Sequence, residues 1–432
     1  MEHPLLTAYN RLDEAHRAWH QALDGYHNIE DFRAGINTAI QALRNVTFVL
    51  QSQKSNLINF EPWYEKWQEQ MKADPILKEL HQARNVIVKQ QDLILHSTAI
   101  ARIKGWIDFH KTAFTFNPMK DSYNVANGFY ETYARHIPFK EVEKERVIFE
   151  FERRWIYDKL PETELLDAIA HTYSFLNDLI KDAEEEFSIK SFTRKSAEYC
   201  QYELNNGGQL QCMILTPQDR SLFFSFRDGK PIKMKSIKLN KGLEDIEKAH
   251  NRYGDEYKSQ HVLDLLKDIF PEEYPFNQIQ TFAQAAISVL KKDKYLVPIS
   301  FIFTEENISP LFVAHEFQNQ ETKIISIDKL AGLILKNNGK FVFMISEIWR
   351  YTIGDIEDIK YPSEENTLNA KDAAQFCFLS AKELRVVTIP FRKNFFGKIT
   401  FSKPEVENFS TDTHDYFILR PVITALKKVH NK

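Results

Sequence analysis

Apolar residues recur at helical spacing through the N-terminal part of the chain. Leu12, Ala15, Trp19, Leu23 and Tyr26 form one stripe, which predicts a first helix ending near Gly25 to Asn28. A second helix is expected from Asp31, whose carboxylate can cap it, through Phe32, Ile36, Ile40, Leu43, Phe48 and Leu50. The pair Asp74-Pro75 marks a third start, with the acid at the cap and the proline in the first turn, continuing through Leu77, Leu80, Ala83 and Val86 to Val88. Between them "NFEPWYEKWQEQM" places Trp63 and Trp67 one turn apart and reads as the fourth wall of a bundle.

The period then shortens. The stretch from Asp92 to Asp121 fits either strands or an interrupted helix, with extended structure favoured by its β-branched and aromatic later half, and Glu145 to Tyr157 alternates as a strand does. Pro161 is expected to open a helix with Leu165, Ile169, Tyr173, Leu176 and Ile180 as its stripe and Glu184 to Glu186 as its solvated end. Beyond Lys190, "QLQCMILTP" and "SLFFSFRDGKPIKMKSIKL", with an Asp228-Gly229 turn, predict a small antiparallel β unit. A charged stretch over Gly242 to Tyr257 follows. After it come helices at "HVLDLLKDIF" and "IQTFAQAAISVLKK", strands "YLVPISFIFT" and "PLFVAHEF", helix "SIDKLAGLILKNNG" and further strands, crossed by a polar excursion from Gly354 to Asp372. The fold class is therefore α+β: an N-terminal helical bundle, then a mainly antiparallel β-containing C-terminal region with flanking helices. The expected divisions are residues 1–190, 191–250 and 251–432.

Composition narrows the function. Lys plus Arg number 56 against 60 Asp plus Glu, so no global cationic field gathers a polyanion and any nucleic-acid contact must be local. Apolar runs such as Leu296 to Phe303 fall well short of the roughly 18 residues of a membrane span. The opening "MEHPLLTAYN" lacks the pattern of a signal peptide, so a cytoplasmic protein without membrane contact is expected. Cys200, Cys212 and Cys377 form no CxxC pair and read as reduced thiols, although Cys200 and Cys212 could face each other across a hairpin.

Candidate chemistry is sparse. Asp13, His16, His20, Asp24 and His27 share one stripe of the first helix, and imidazoles four residues apart can bind zinc or copper. No metal or other cofactor is assigned, and His16, His20 and Asp24 are the residues that would hold a metal. His315-Glu316 lacks the second histidine of a zincin, and no nucleophile elbow, Walker loop or dinucleotide fingerprint occurs. Glu347, on a strand with Arg350 near it, is the carboxylate a metal-dependent nuclease would use together with a second acid and a lysine. Lys230, Lys233, Lys235, Lys238 and Lys241 read as a solvated strand edge.

The segments "FRAGINTAIQALRNVTFVLQ" and "FEPWYEKWQEQMKADPILKELHQARNVIVKQ" resemble the higher-eukaryote and prokaryote nucleotide-binding (HEPN) superfamily of helical bundles, over residues 8–110. Active members of that superfamily pair an Arg and a polar residue with a His four to six positions on, usually across a dimer. Arg84-Asn85 matches the start of that motif, whereas Lys89, Gln90 or Gln91 stands at the His position. A lysine holds phosphate but does not shuttle protons near neutral pH. Arg11 and His16 also fit the bare spacing, as expected by chance among so many Arg and His residues.

The resemblance implies a non-catalytic RNA- or protein-binding regulator in bacterial stress or defence, with Arg84, Asn85 and Lys89 as nucleic-acid contacts and a homodimer formed through the bundle. The alternatives are an enzyme or a purely structural interaction module. The enzyme would be an HEPN-type ribonuclease using Arg84 and Lys89, or a metal-dependent nuclease at Glu347. The forty-residue echo of Arg44-Asn45-Val46 in Arg84-Asn85-Val86 reads as two bundle helices with similar stripes.

Overall fold

The computed structural model describes residues 3–89, 93–105, 108–140, 144, 146–190, 210–233, 274–304, 310–315, 317–350, 371–412 and 417–431. The chain divides into two compact units, residues 1–232 and 233–432. Its helices and antiparallel sheets make an α+β fold, as the periodicities indicate.

In the N-terminal unit, α1 (Leu6–Asp24), α2 (Ile29–Ser52), α3 (Phe60–Ala73) and α4 (Pro75–Lys89) precede the hairpin β1 (Leu95–Lys104) and β2 (Asp108–Phe116). Then come α5 (Ser122–Thr132), β3 (Ile148–Tyr157), β4 (Leu160–Glu164), α6 (Leu165–Glu186) and β5 (Ser221–Ser225). The sheet runs β2-β1-β3-β4, with β5 on the N-terminal half of β3. The aromatic and aliphatic stripes of α1, α2, α3 and α6 close one core that also takes in Trp155 and Tyr157 of β3. Helix α5 covers Phe149 and Phe151 in a second core.

Local chemistry places the boundaries. Asp74 Oδ1 accepts from the backbone N–H groups of Ile76 and Leu77 at 2.8 and 3.0 Å, so the Asp-Pro start of α4 is realised as a cap. Helix α2 starts earlier than expected: Asn28 rather than Asp31 is its cap, accepting from Glu30 and Asp31, and Asp31 lies in the first turn. Its apolar stripe keeps Leu50 as expected but omits Phe48, which is exposed, and takes in Val46.

Pro161 does not open a helix. It sits in β4, and α6 begins after Glu164, whose side chain accepts from Leu166 and Asp167. A proline fits this short strand, which pairs with β3 only through Ile156–Glu164 and Tyr157–Leu160. Nor is the acidic end of α6 wholly solvated, because Glu184 is buried and accepts from the Tyr9 hydroxyl at 2.8 Å.

Of the β unit expected over 191–250, "QLQCMILTP" contributes a 3-10 turn at Gln211–Met213 in place of a strand. β5 forms the expected hairpin through Gly229 (φ 69°), but it pairs with β3 and so belongs to the N-terminal sheet. Cys200, Lys235, Lys238, Lys241 and the charged stretch over 242–257 fall outside the described residues.

Three charged residues of β3, Glu150, Glu152 and Arg153, are buried. Arg102 reaches Glu150 at 3.0 Å and Glu152 at 2.5 Å, Lys104 reaches Glu150 at 3.0 Å, and Arg220 reaches Glu152 at 2.7 Å. Burial works to raise the Glu150 pKa, but the charges of Lys104 and Arg102 outweigh it and hold the carboxyl below its usual range. Arg153 is paired differently. Its guanidinium donates to Ser97 and Ser122 and to the carbonyls of Pro118 and Lys120, and its carbon lies 3.4 Å from the Trp155 ring centroid. Burial pulls its pKa down to about 9.

In the C-terminal unit the described elements are α7 (Phe276–Asp293), β6 (Ile299–Phe303), β7 (Leu311–Ala314), α8 (Gln320–Asn337) and β8 (Phe341–Arg350). They continue with β9 (Lys371–Leu379), β10 (Glu383–Lys393), β11 (Ile399–Phe401), β12 (Glu405–Ser410) and α9 (Arg420–His430). The antiparallel sheet runs β11-β10-β9-β8-β6-β7, with β12 also on β10. Alternation along β8 sends Phe343 and Ile345 to the α7 face and Val342 and Met344 to the face covered by α8 and α9. The expected helix at "HVLDLLKDIF" and the excursion over 354–370 lie outside the described residues.

Two predictions test this packing. A Cβ on Gly35 would lie 2.6 Å from the backbone nitrogen of Ala22, so α1 and α2 meet where only glycine fits. Gly35→Val should destabilise the protein by at least about 2 kcal/mol in denaturant titration. Burial, and then the charge of Asp167, raise Glu164 from 4.5 to about 7. A carboxyl whose pKa rises on folding contributes stability below its unfolded pKa and loses it as pH climbs through the folded value. Stability relative to Glu164→Gln should therefore fall between about pH 4.5 and 7, by on the order of 3 kcal/mol or less, and be flat above.

Candidate functional site

Helices α2, α3, α4 and α6 do not meet along their whole length, and a cavity of about 330 Å³ opens between them. Ile40, Leu43, Leu77, Leu80 and Leu176 line it with apolar surface. Arg44 comes from α2, Lys72 from α3, and Lys78 and His81 from α4. The residues lining it include no Asp or Glu, so in a chain with net charge −4 the cleft is locally cationic.

Short polar contacts fix its interior. Arg44 donates to the Thr47 hydroxyl at 2.7 Å, and Gln51 donates to the Tyr64 hydroxyl at 2.8 Å. Trp63 and Trp67 both donate to Asp182 of α6, at 2.6 and 2.7 Å, which ties α3 in place. Burial and then the positive charges of Arg44 and Arg84 lower the His81 pKa from its usual 6.5. The imidazole is thus kept neutral near pH 7, with one nitrogen to donate and one to accept. Tyr64 is shifted the other way, its phenol raised by burial and so retained as a hydrogen-bonding hydroxyl.

The two arginines of the forty-residue echo therefore act on one histidine. Arg44 entered the sequence reading only as part of that echo, and His81 did not enter it. The echo itself was the available signal, since two helices with the same Arg-Asn-Val register can turn equivalent faces toward a shared groove. Arg84 and Asn85 are half-buried on α4, with Arg84 donating to Asn85 Oδ1 at 3.3 Å. The side chain of Lys89, like that of Arg350, lies outside the described residues.

Around Glu347 the structure supplies two groups the sequence did not identify. Lys393 of β10 approaches Glu347 Oε1 at 3.3 Å and Asp372 of β9 at 3.8 Å. The other Glu347 oxygen accepts from the Leu296 N–H at 3.1 Å. The lysine ammonium lies against both acids and offsets their charge. His315 is buried against Ser300 at 2.6 Å, and burial lowers its pKa to about 4. Glu316 is outside the described residues.

Along α1, His16 and His20 come together, their Nε2 atoms 3.1 Å apart, while Asp24 is exposed at the end of the helix. Cys212 joins them, its Sγ 3.0 Å from His16 Nε2.

The fold and the cleft define an α+β protein whose N-terminal unit pairs a helical bundle with an antiparallel sheet and carries a cationic groove. Residues 1–376 match the family of bacteriophage lambda protein ea47, and the chain belongs to that family. One relative, protein ea47 of Escherichia phage lambda, is 32% identical over 157 residues, which cover 35% of this chain and 37% of the relative. The matched stretch thus spans little more than a third of that relative's length. No solved structure matches. Among the described residues no helix is long and apolar enough to cross a membrane.

The electrostatic account of His81 is directly measurable. Its imidazole should titrate below 6.5 by NMR, and Arg44→Ala, by removing a neighbouring positive charge, should move the midpoint upward.

Proposed function

We propose that the N-terminal unit is HEPN-like and binds RNA in the cleft between α2, α3, α4 and α6 without cleaving it, so that the protein acts as a regulator in the contest between phage and host. The observation that carries this reading is a groove with Arg44, Lys72 and Lys78 at its wall and no carboxylate in its lining. Cations in such a groove neutralise phosphates, while the apolar floor and the exposed His81 ring offer surface to a base. The Arg84-Asn85 pair on α4 agrees with the start of the HEPN motif, and the residues at its histidine position are Lys89, Gln90 and Gln91. His81 precedes Arg84 instead of following it, so the motif's order is not restored. The reading includes a homodimer through the bundle, as the resemblance implies.

Fluorescence anisotropy with a labelled single-stranded RNA tests it. Binding should weaken steeply with salt, and the double variant Arg44→Ala/Lys72→Ala should bind about tenfold or more weakly, with a salt slope smaller by about one per lost contact. Unchanged binding in the double variant would remove the cleft from the proposal. RNA cleavage by the wild type that His81→Ala abolishes would overturn its non-catalytic part.

A second reading rests on Glu347, Asp372 and Lys393, which supply the two acids and the lysine of a metal-dependent nuclease. Magnesium-dependent degradation of nucleic acid lost in Glu347→Ala supports it, and full activity in that variant excludes it.

A further inference from the structure

Three metal-ligating side chains converge on one point of the N-terminal unit. His16 and His20 stand one turn apart on α1. Cys212, 196 positions beyond His16, is carried by the 3-10 turn Gln211–Met213. Its neighbours Leu210 and Met213 are buried in the bundle core, which fixes the turn against the helix. His16 lies 5.8 Å from the Tyr173 ring and the Trp19 ring lies 5.0 Å from His20, which limits how the imidazoles can turn. One ligand atom from each of His16, His20 and Cys212 falls within 4.8 Å of the others. In tetrahedral zinc, bonds of about 2.0–2.1 Å to nitrogen and 2.3 Å to sulfur separate the ligand atoms by roughly 3.3–3.6 Å. The His16–His20 and His16–Cys212 separations of 3.1 and 3.0 Å are slightly inside that range, and with all three ligand atoms within 4.8 Å of one another, side-chain rotation has to open the first two pairs and draw His20 and Cys212 to a common ion.

The geometry points to a zinc site formed by His16, His20 and Cys212 that clips the segment around residue 212 onto α1. Two imidazoles and a thiolate are the borderline-soft donor set that suits Zn²⁺, and the fourth position is left to water or an external ligand. A cysteine–histidine catalytic relay would use both nitrogens of the imidazole, one toward the thiol and one toward an orienting group. Here the same His16 Nε2 faces both the thiol and the second imidazole, as ligands around a shared ion do. On binding, a sulfur–zinc bond forms and the Cys212 proton passes to solvent, so affinity rises with pH. The site lies on α1 and owes nothing to the cleft's assignment.

The test uses full-length protein stripped with a chelator and titrated with Co²⁺ as a spectroscopic probe, then with competing Zn²⁺. One equivalent of cobalt per chain should produce a thiolate-to-cobalt charge-transfer band. Cys212→Ser should abolish the band, and Cys212→Ser and the partly exposed His20→Ala should each weaken zinc binding by more than about 100-fold, since even indirect supports of a metal site cost 10–100-fold. Metal-free circular dichroism of both variants should match the wild type, and zinc, but not magnesium, should raise the wild-type melting temperature. Absence of the band at one equivalent, or its persistence in Cys212→Ser, would overturn the site.

Discussion

A strand with charges on its buried positions dictates how the N-terminal unit is assembled. Glu150, Glu152 and Arg153 of β3 are all withdrawn from water, and an ionised group so placed is tolerated only with partners and hydrogen bonds. The carboxylates draw in Arg102 and Lys104 from β1 and Arg220 from the turn before β5. Ser221 adds a hydrogen bond to Glu150 at 2.8 Å. The strand order around β3 is therefore coupled to charge pairing as well as to the backbone ladder. A register slip of one residue would place Arg102 opposite the wrong face of β3. Net stabilisation from such pairs is small after desolvation, but the wrong arrangement is heavily penalised, which makes them devices of specificity.

Arg153 extends this constraint to the helices. By donating to the carbonyls of Pro118 and Lys120 and to Ser122, it organises the entry to α5. The Tyr26 hydroxyl lies 3.1 Å from the Arg153 carbonyl and 3.0 Å from Glu164, the cap of α6. Trp155 donates its indole N–H to the Tyr26 carbonyl and stacks on Phe32 of α2. The end of α1, the start of α2, the start of α6 and the sheet are thus joined through one polar and aromatic knot. The cationic cleft lies farther along α2 and α6, between parts of those helices that the knot positions at their roots. The C-terminal unit shows the contrasting solution, a sheet whose two faces are both filled by aromatic and aliphatic side chains.

What was legible in the sequence follows from the range of the forces involved. The α1 stripe, the Asp74-Pro75 start and the strands β3, β6 and β7 are specified by neighbouring residues, so periodicity and capping suffice. The misplaced features have distant causes. Pro161 lies in a strand because its neighbours Leu160 and Glu164 pair with β3, and Glu184 is buried where Tyr9, 175 residues away, binds it. The start of α2 was a contest between two local caps, and Asn28 prevails over Asp31. For the candidate sites the same rule holds. The His16–His20 spacing was visible along one helix, whereas Cys212 joins it only through tertiary folding, and the Lys393 and Asp372 neighbours of Glu347 arrive on other strands.

Charge balance explains why the cleft escaped a compositional reading. A chain of net charge −4 has no long-range attraction for a polyanion, yet screening confines electrostatic influence to about 8 Å at physiological ionic strength. The residues lining the cleft contribute Arg44, Lys72 and Lys78 and no carboxylate, so its wall is locally cationic whatever the total. The acidic excess lies elsewhere in the chain and lowers non-specific association with polyanions. His81 belongs to this logic: its pKa lowered first by partial burial and then by Arg44 and Arg84 beside it, it adds hydrogen-bonding capacity near pH 7 without adding charge.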